Sequence, residues 1–275
     1  MSIKFKLSDA ITELNNLEDN SVDLFYVDPP YVIKYKAWDK NREDFEKFTE
    51  PWIKTCVKKL KPTGSMYIFM AKDNLFANKD KKRSKGLVNL LEENGTVHID
   101  NWITWKRQKG RSSTHKAKSL REEIIHFTKH PTKYTWNNVE VLRDVVTPYV
   151  KDGRPRGWFI DEATGRRVRW TGIGDVWMYS SPQWNGLLDK QRHSAQKPFL
   201  LVERIILMGS NKGDVVDPFM GSGVAAHVCK YHERNYIGID NDKDIYKDAV
   251  KYFILNYKSI KKVFEAGVQR VTNNK

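Results

Sequence analysis

Residues 21–31 read Ser21-Val22-Asp23-Leu24-Phe25-Tyr26-Val27-Asp28-Pro29-Pro30-Tyr31. Leu24 to Val27 form an unbroken apolar and aromatic run, the composition of a strand covered on both faces, as in a parallel sheet flanked by helices. Pro29 and Pro30 end it. Proline cannot donate to a sheet ladder, fixes its own φ and holds the preceding residue extended. The Asp28 carboxylate is therefore carried on a stiff turn past the end of a sheet, where open α/β sheets bind their ligands. A plain Pro-Pro turn closing a strand reads the same over these four residues, so the surrounding chain has to separate the two meanings.

Working outward, Ile3, Phe5 and Leu7 alternate with lysines, the period of a strand, and Ser8-Asp9 caps a helical stretch through Asn16. Downstream, 45–60 has helical spacing, 65–70 is a buried strand, 80–85 is charged, 86–94 is helical, and 97–105 and 122–128 are strands. From 130 to 186 Gly, Pro, Trp and Arg rise and no long period survives. Regularity returns with a helix over 197–209 opened by Pro198 in its first turn, strands over 214–216 and 236–239, and helices over 224–231 and 242–254. Strands alternating with helices on both sides of an irregular insert predict a doubly wound α/β fold. The division that follows is 1–129, an inserted region 130–186, 187–267, and a frayed tail 268–275.

The chain carries 48 Lys and Arg against 34 Asp and Glu, a formal charge of +14, and such an excess favours polyanions, nucleic acid first. The cations cluster among aromatics and small polar residues, as surfaces that track a phosphate backbone do. Lys106, Arg107, Lys109 and Arg111 form one candidate set, and Arg166, Arg167 and Arg169 another. Cys56 and Cys229 are the only cysteines, the N-terminus lacks a signal-peptide core, and no apolar run reaches the length of a membrane span. These features predict a cytoplasmic setting with no membrane partner. His227-Val228-Cys229-Lys230-Tyr231-His232 has no second ligand cluster at zinc spacing, so no metal is expected.

Residues 212–226 read KGDVVDPFMGSGVAA. A strand ending at Asp217 leads through Phe219 into Gly221-Ser222-Gly223, a tight loop opening a helix whose N-terminus favours negative charge such as a carboxylate. Asp240 closes the next strand, where an acid accepts hydrogen bonds from a ribose. A nicotinamide cofactor would call for a third glycine at fixed spacing, and Ala or Val stands there instead. A mononucleotide-like ligand with a charged amino-acid tail fits better, and S-adenosylmethionine is such a ligand.

Asp28-Pro29-Pro30-Tyr31 together with Asp217-Pro218-Phe219-Met220-Gly221-Ser222-Gly223 resembles the amino-methyltransferases that modify adenine N6 or cytosine N4 in nucleic acid. His193-Ser194-Ala195-Gln196-Lys197-Pro198 is similar to that family's segment before the cofactor helix, Asn101 to Trp105 to its later strand motif, and Ser8-Asp9-Ala10 to its acidic turn at the cofactor's adenine, with Ser8 in place of a common glycine. The catalytic motif precedes the glycine loop, an order that resembles the circularly permuted beta class.

The resemblance implies a Rossmann-like methyltransferase sheet, circularly permuted, with 130–186 as target-recognition region between a catalytic half and a cofactor half. It implies S-adenosylmethionine bound by Asp9, Ala10, Asp28, Lys197, Asp217, Phe219, Gly221, Ser222, Gly223 and Asp240. It implies catalysis by Asp28, Pro29, Pro30 and Tyr31 on adenine N6 in double-stranded DNA, the Asp28 carboxylate and the Pro29 carbonyl accepting the amine protons and Tyr31 stacking on an extruded base. Cytosine N4 is the alternative base, and an inactive nucleic-acid-binding subunit the alternative class. A homodimer and a cognate restriction enzyme belong to the same expectation.

Overall fold

The strand over Val22–Val27 (β2) is buried at Leu24, Phe25, Tyr26 and Val27, so it lies inside a sheet covered on both faces. The computed structural model describes residues 1–32, 44–77, 84–93, 97–107, 120–144, 150–151, 154–155, 157–162, 165–180, 195–265 and 269–272. Before β2 come β1 (Ile3–Leu7) and α1 (Ala10–Asn15); after it come α2 (Phe45–Lys59), β3 (Leu60–Met70), α3 (Leu87–Glu93), β4 (His98–Lys106) and β5 (Arg121–Thr128). The middle of the chain supplies β6 (Asn138–Asp144), β7 (Val150–Lys151), β8 (Arg154–Pro155), β9 (Phe159–Ile160), β10 (Arg167–Gly172) and β11 (Val176–Met178). The last part supplies α4 (Phe199–Gly209), β12 (Asp214–Asp217), α5 (Val224–Tyr231), β13 (Asn235–Asp240), α6 (Lys243–Glu265) and β14 (Gln269–Thr272).

Among the described residues the main sheet has eight strands in the order β1-β13-β12-β2-β3-β5-β4-β11. Every neighbouring pair is parallel except those made by β5, which runs antiparallel to β3 and β4. Alternation along β2 sends Leu24 and Tyr26 into one apolar layer with α4, α5 and the far end of α6, and Phe25 and Val27 into the other with α1, α2 and α3. Among the described residues three helices pack on each face, a doubly wound architecture. The strands from either end of the sequence interleave: β12 and β13 sit between β1 and β2, so the two halves share one sheet.

The structure revises the sequence reading in four places. β3 starts at Leu60 rather than Ser65, because Val22 pairs with Leu60 before an irregularity carries the register on to Leu24 opposite Ser65. α6 runs to Glu265, past the expected Ile254, since Ile260 and Phe264 are buried against the core. The inserted region is not without regular structure: β6, β10 and β9 form an antiparallel sheet, and β11 joins the main sheet beside β4. The tail expected to fray contains β14, which completes that second sheet against β6. β11 and β14 are short and pair with strands far away in sequence, Val176 with Thr104 and Gln269 with Val141, so local periodicity could not reveal them.

Candidate active site

Parallel strands put their carboxyl ends on one side of a sheet, and registry decides what meets there. Leu7 pairs with Asp240, Asp217 with Gly238, and Val27 with Ile68, so the turns after β1, β13, β12 and β2 share one edge. β5 runs the other way, so its first residues reach that same edge: Met70 pairs with Glu123 and Trp105 with Glu122. The edge thus collects Ser8-Asp9, Asp28-Pro29-Pro30-Tyr31, Glu122, the glycine loop and Asp240.

At its centre is a buried ion cluster. The Lys197 ammonium donates to both oxygens of Asp28, at 2.7 and 2.6 Å, and lies 3.6 Å from Glu122 Oε2. The Tyr31 hydroxyl is 3.2 Å from Asp28 Oδ1 and 3.1 Å from Glu122 Oε2. Arg107 closes the network at 2.9 Å from Glu122 Oε1. Burial raises the Asp28 carboxyl above its usual range, with the Lys197 ammonium pulling against it. Burial alone would lower Lys197, but the Asp28 and Glu122 carboxylates outweigh it and hold the ammonium more firmly protonated than usual. Burial, then the two carboxylates, push the Tyr31 phenol well up, so it stays a hydroxyl donor. The ammonium also faces the rings of Phe69 at 5.0 Å and Tyr31 at 5.7 Å, which favour a cation.

The turn itself is stiff. Pro29 is buried, Asn74 donates its side-chain amide to the Tyr31 carbonyl, and Val32 follows with φ +54°, a conformation a β-branched residue adopts only at a cost.

On the other side of the edge, Gly221 and Gly223 take φ +51° and +71°, the left-handed region open to glycine, and Gly223 begins α5. Asp240 Oδ2 accepts from the Gly221 amide and Oδ1 from the Asp242 amide, both at 2.9 Å. Asp217 turns inward: its carboxylate accepts from the Tyr236 hydroxyl at 3.1 Å and the Phe219 amide at 3.3 Å, and burial pushes its pKa well up. Phe219 packs on Trp52 and Phe48, and Ser222 is buried. Asp9 Oδ1 accepts from the Ile11 and Thr12 amides as the N-cap of α1, with Ala10 buried behind it. The donor set suits a ligand with a ribose and a charged amino-acid tail: an acid closing one strand, a left-handed glycine loop with its amides at a helix N-terminus, and apolar walls.

Of the cationic candidates, Lys106 is exposed at the end of β4, whereas Arg107 is engaged with Glu122. Lys109 and Arg111 lie outside the described residues. Arg166, Arg167 and Arg169 are exposed in and beside β10, a strand of the second sheet, with Arg167 over the Trp158 ring at 5.9 Å. The sequence reading missed Glu122 and Asn74. The adjacent acids Glu122-Glu123 at a strand start were the available signal: Glu123 turns to the other face, bonding Trp102 Nε1, Thr104 Oγ1 and Arg121. Among the described residues no cluster of His, Cys, Asp and Glu could hold a metal, and no helix is long and apolar enough to cross a membrane.

Comparison with known proteins agrees with this arrangement. The N6/N4 family model described as DNA methylase matches residues 22–251. Type II methyltransferase M.HpaI of Haemophilus parainfluenzae is 34% identical over 242 residues, covering 86% of this chain and 69% of that protein. DNA adenine methyltransferase YhdJ of Escherichia coli K12 is 31% identical, covering 88% and 80%. The crystal structure of an M1.HpyAVI complex with S-adenosylmethionine superposes with a TM-score of 0.59 at 25% identity, covering 92% of this chain and all of the other. With its Asp-Pro-Pro-Tyr motif ahead of its glycine loop on a shared sheet, the chain belongs to the beta-class N6/N4 DNA methylase family and is an S-adenosylmethionine-dependent DNA methyltransferase.

Proposed function

We propose that this enzyme methylates the N6 amine of adenine at a specific duplex sequence, after extruding the base from the helix. The observation that carries the reading is the Asp28 carboxylate, held on a proline-stiffened turn beside Tyr31 and across the same sheet edge from the glycine loop. A relative named as a DNA adenine methyltransferase supports the choice of base. An exocyclic amine is a weak nucleophile because its lone pair is delocalised into the ring. Hydrogen bonds from its two protons to Asp28 and the Pro29 carbonyl favour a pyramidal nitrogen with a more localised pair, and acceptors fixed in advance need no reorganisation during transfer.

Tyr31 offers its ring to the extruded base, a stack worth about 1 to 3 kcal/mol against the cost of unpairing. Asp240 and the amides at Gly221 to Gly223 hold S-adenosylmethionine, with Asp9, Ala10, Asp217, Phe219 and Ser222 shaping its pocket. The cofactor supplies an electrophilic methyl on a sulfonium. In this reading residues 1–129 and 187–267 are the catalytic and cofactor halves, and 130–186 reads the target sequence, with Arg166, Arg167 and Arg169 on phosphates or base edges. The reading places the enzyme in the cytoplasm, as a homodimer, beside a cognate restriction enzyme such as type II methyltransferases serve.

The test is incubation with S-adenosylmethionine and unmethylated duplex DNA, digestion to nucleosides and mass spectrometry. N6-methyladenine is expected. N4-methylcytosine would reverse the base assignment, and no methylated base alongside demonstrated cofactor binding would favour a nucleic-acid-binding subunit.

A further inference from the structure

The acid that must receive the substrate amine is already occupied. Asp28 Oδ1 accepts from Lys197 at 2.7 Å and from Tyr31 at 3.2 Å, and Oδ2 accepts from Lys197 at 2.6 Å. A carboxylate chelated by an ammonium is a weakened acceptor, so an arriving amine competes with both donors. Simple displacement would leave a buried ammonium and a buried hydroxyl without partners, which is strongly unfavourable.

Both donors also face a second carboxylate, and the same atom of it: it accepts from the Tyr31 hydroxyl and forms an ion pair with the Lys197 ammonium. Glu122 Oε2 stands 3.1 Å from the Tyr31 hydroxyl and 3.6 Å from the Lys197 ammonium. Its other oxygen is held by Arg107 at 2.9 Å, which fixes the carboxylate from the far side. The Glu122 side chain is only 14% exposed, so water cannot substitute freely for it. Motion well short of a rotamer change would carry either donor from one carboxylate to the other.

We infer that Glu122 is a positioning residue for methyl transfer: it takes over the Tyr31 hydroxyl and the Lys197 ammonium as the substrate amine takes their place on Asp28. The inference rests on the methyltransferase reading and adds to it a residue that touches neither base nor cofactor. It also gives Arg107 a part in the site, anchoring the acceptor rather than only meeting phosphate.

The experiment is single-turnover transfer to a duplex that the wild-type protein methylates, for Glu122→Gln and Glu122→Asp, with cofactor and DNA dissociation constants and thermal midpoints measured alongside. The glutamine keeps an acceptor for Tyr31 but has no charge to receive Lys197. It is expected to slow transfer by about tenfold or more with both dissociation constants within about twofold of wild type, and the aspartate to recover part of that loss. Fluorescence of 2-aminopurine at the target position should still report extrusion of the base. A glutamine variant at the wild-type rate overturns the inference. So does a slow variant whose cofactor affinity and midpoint fall in proportion, which would make Glu122 structural only, and so does an aspartate as slow as the glutamine. A wild-type protein that methylates no duplex would instead sink the reading on which the inference stands.

Discussion

Lys197 and Asp28 are 169 residues apart in the chain, yet the ammonium of one chelates both oxygens of the other at 2.7 and 2.6 Å. Lys197 reaches Asp28 from the segment just before α4, while Asp28 arrives at the end of β2, so this pair joins early and late parts of the chain at one edge of the sheet. Lys197, expected from its motif to serve the cofactor, bonds Asp28, the proposed catalytic acid, in this structure. Removing either member leaves the other buried with a reduced set of partners.

Asp28→Ala should lower the rate of transfer by about a hundredfold or more, the scale on which losing one preorganised polar group acts. Its ammonium partner retains Glu122 at 3.6 Å, so the fold and cofactor affinity are expected to survive. Steady-state rates beside calorimetric cofactor titration check this. Near wild-type activity would refute the proposed role of Asp28.

Asp240→Asn is expected to act on binding. The carboxylate organises two backbone amides, one of them Gly221 in the glycine loop, and in the proposed function it also receives the ribose. Exchanging the charged acceptor for a neutral one should raise the cofactor dissociation constant by about tenfold, the scale of one charge-assisted hydrogen bond. An unchanged constant in calorimetry would remove the ribose assignment.

His227 predicts a pH dependence of stability. It is fully buried among the rings of Phe199, Tyr252, Phe253 and Tyr257, and burial lowers its pKa from 6.5 to about 4. The unfolded chain therefore binds this proton at a higher pH than the folded one. The folded state loses stability as pH falls from 6.5 towards 4 and regains it as pH rises, by about 3 kcal/mol over the window. In urea titrations at both ends of that range, His227→Phe should show a smaller loss on acidification than the wild type. An equal loss in both proteins would show that His227 does not carry it.

Gln269 fastens the C-terminal strand. Its amide donates to the Leu200 carbonyl and to Glu203 Oε2, and its oxygen accepts from Arg204 Nε and the Tyr179 hydroxyl, at 2.7 to 3.1 Å. Glu203 and Arg204 are themselves buried, so Gln269→Ala takes one polar partner from each of these charged groups and should cost about 1 to 3 kcal/mol of unfolding free energy. A urea midpoint close to wild type would indicate that β14 is not held by this side chain.

The sequence by itself determined the elements that carry their own local signal. The run Leu24 to Val27 announced a strand covered on both faces, the two prolines its stop, and the glycines at 221 and 223 a turn into a helix; each rests on backbone sterics or burial periodicity within a few residues. Through the family resemblance, the order of those motifs also pointed to the permuted arrangement of one shared sheet. Tertiary structure alone decided what meets across the sheet. Glu122 enters the site because β5 runs antiparallel and brings its first residues to the edge where its neighbours end. Arg107 becomes the anchor of Glu122, and Gln269 the pin of an edge strand rather than part of a frayed tail, through partners 15 to 90 positions away. Such partnerships are fixed by strand direction, register and the pairing that buried charges require, and no window of local sequence contains them.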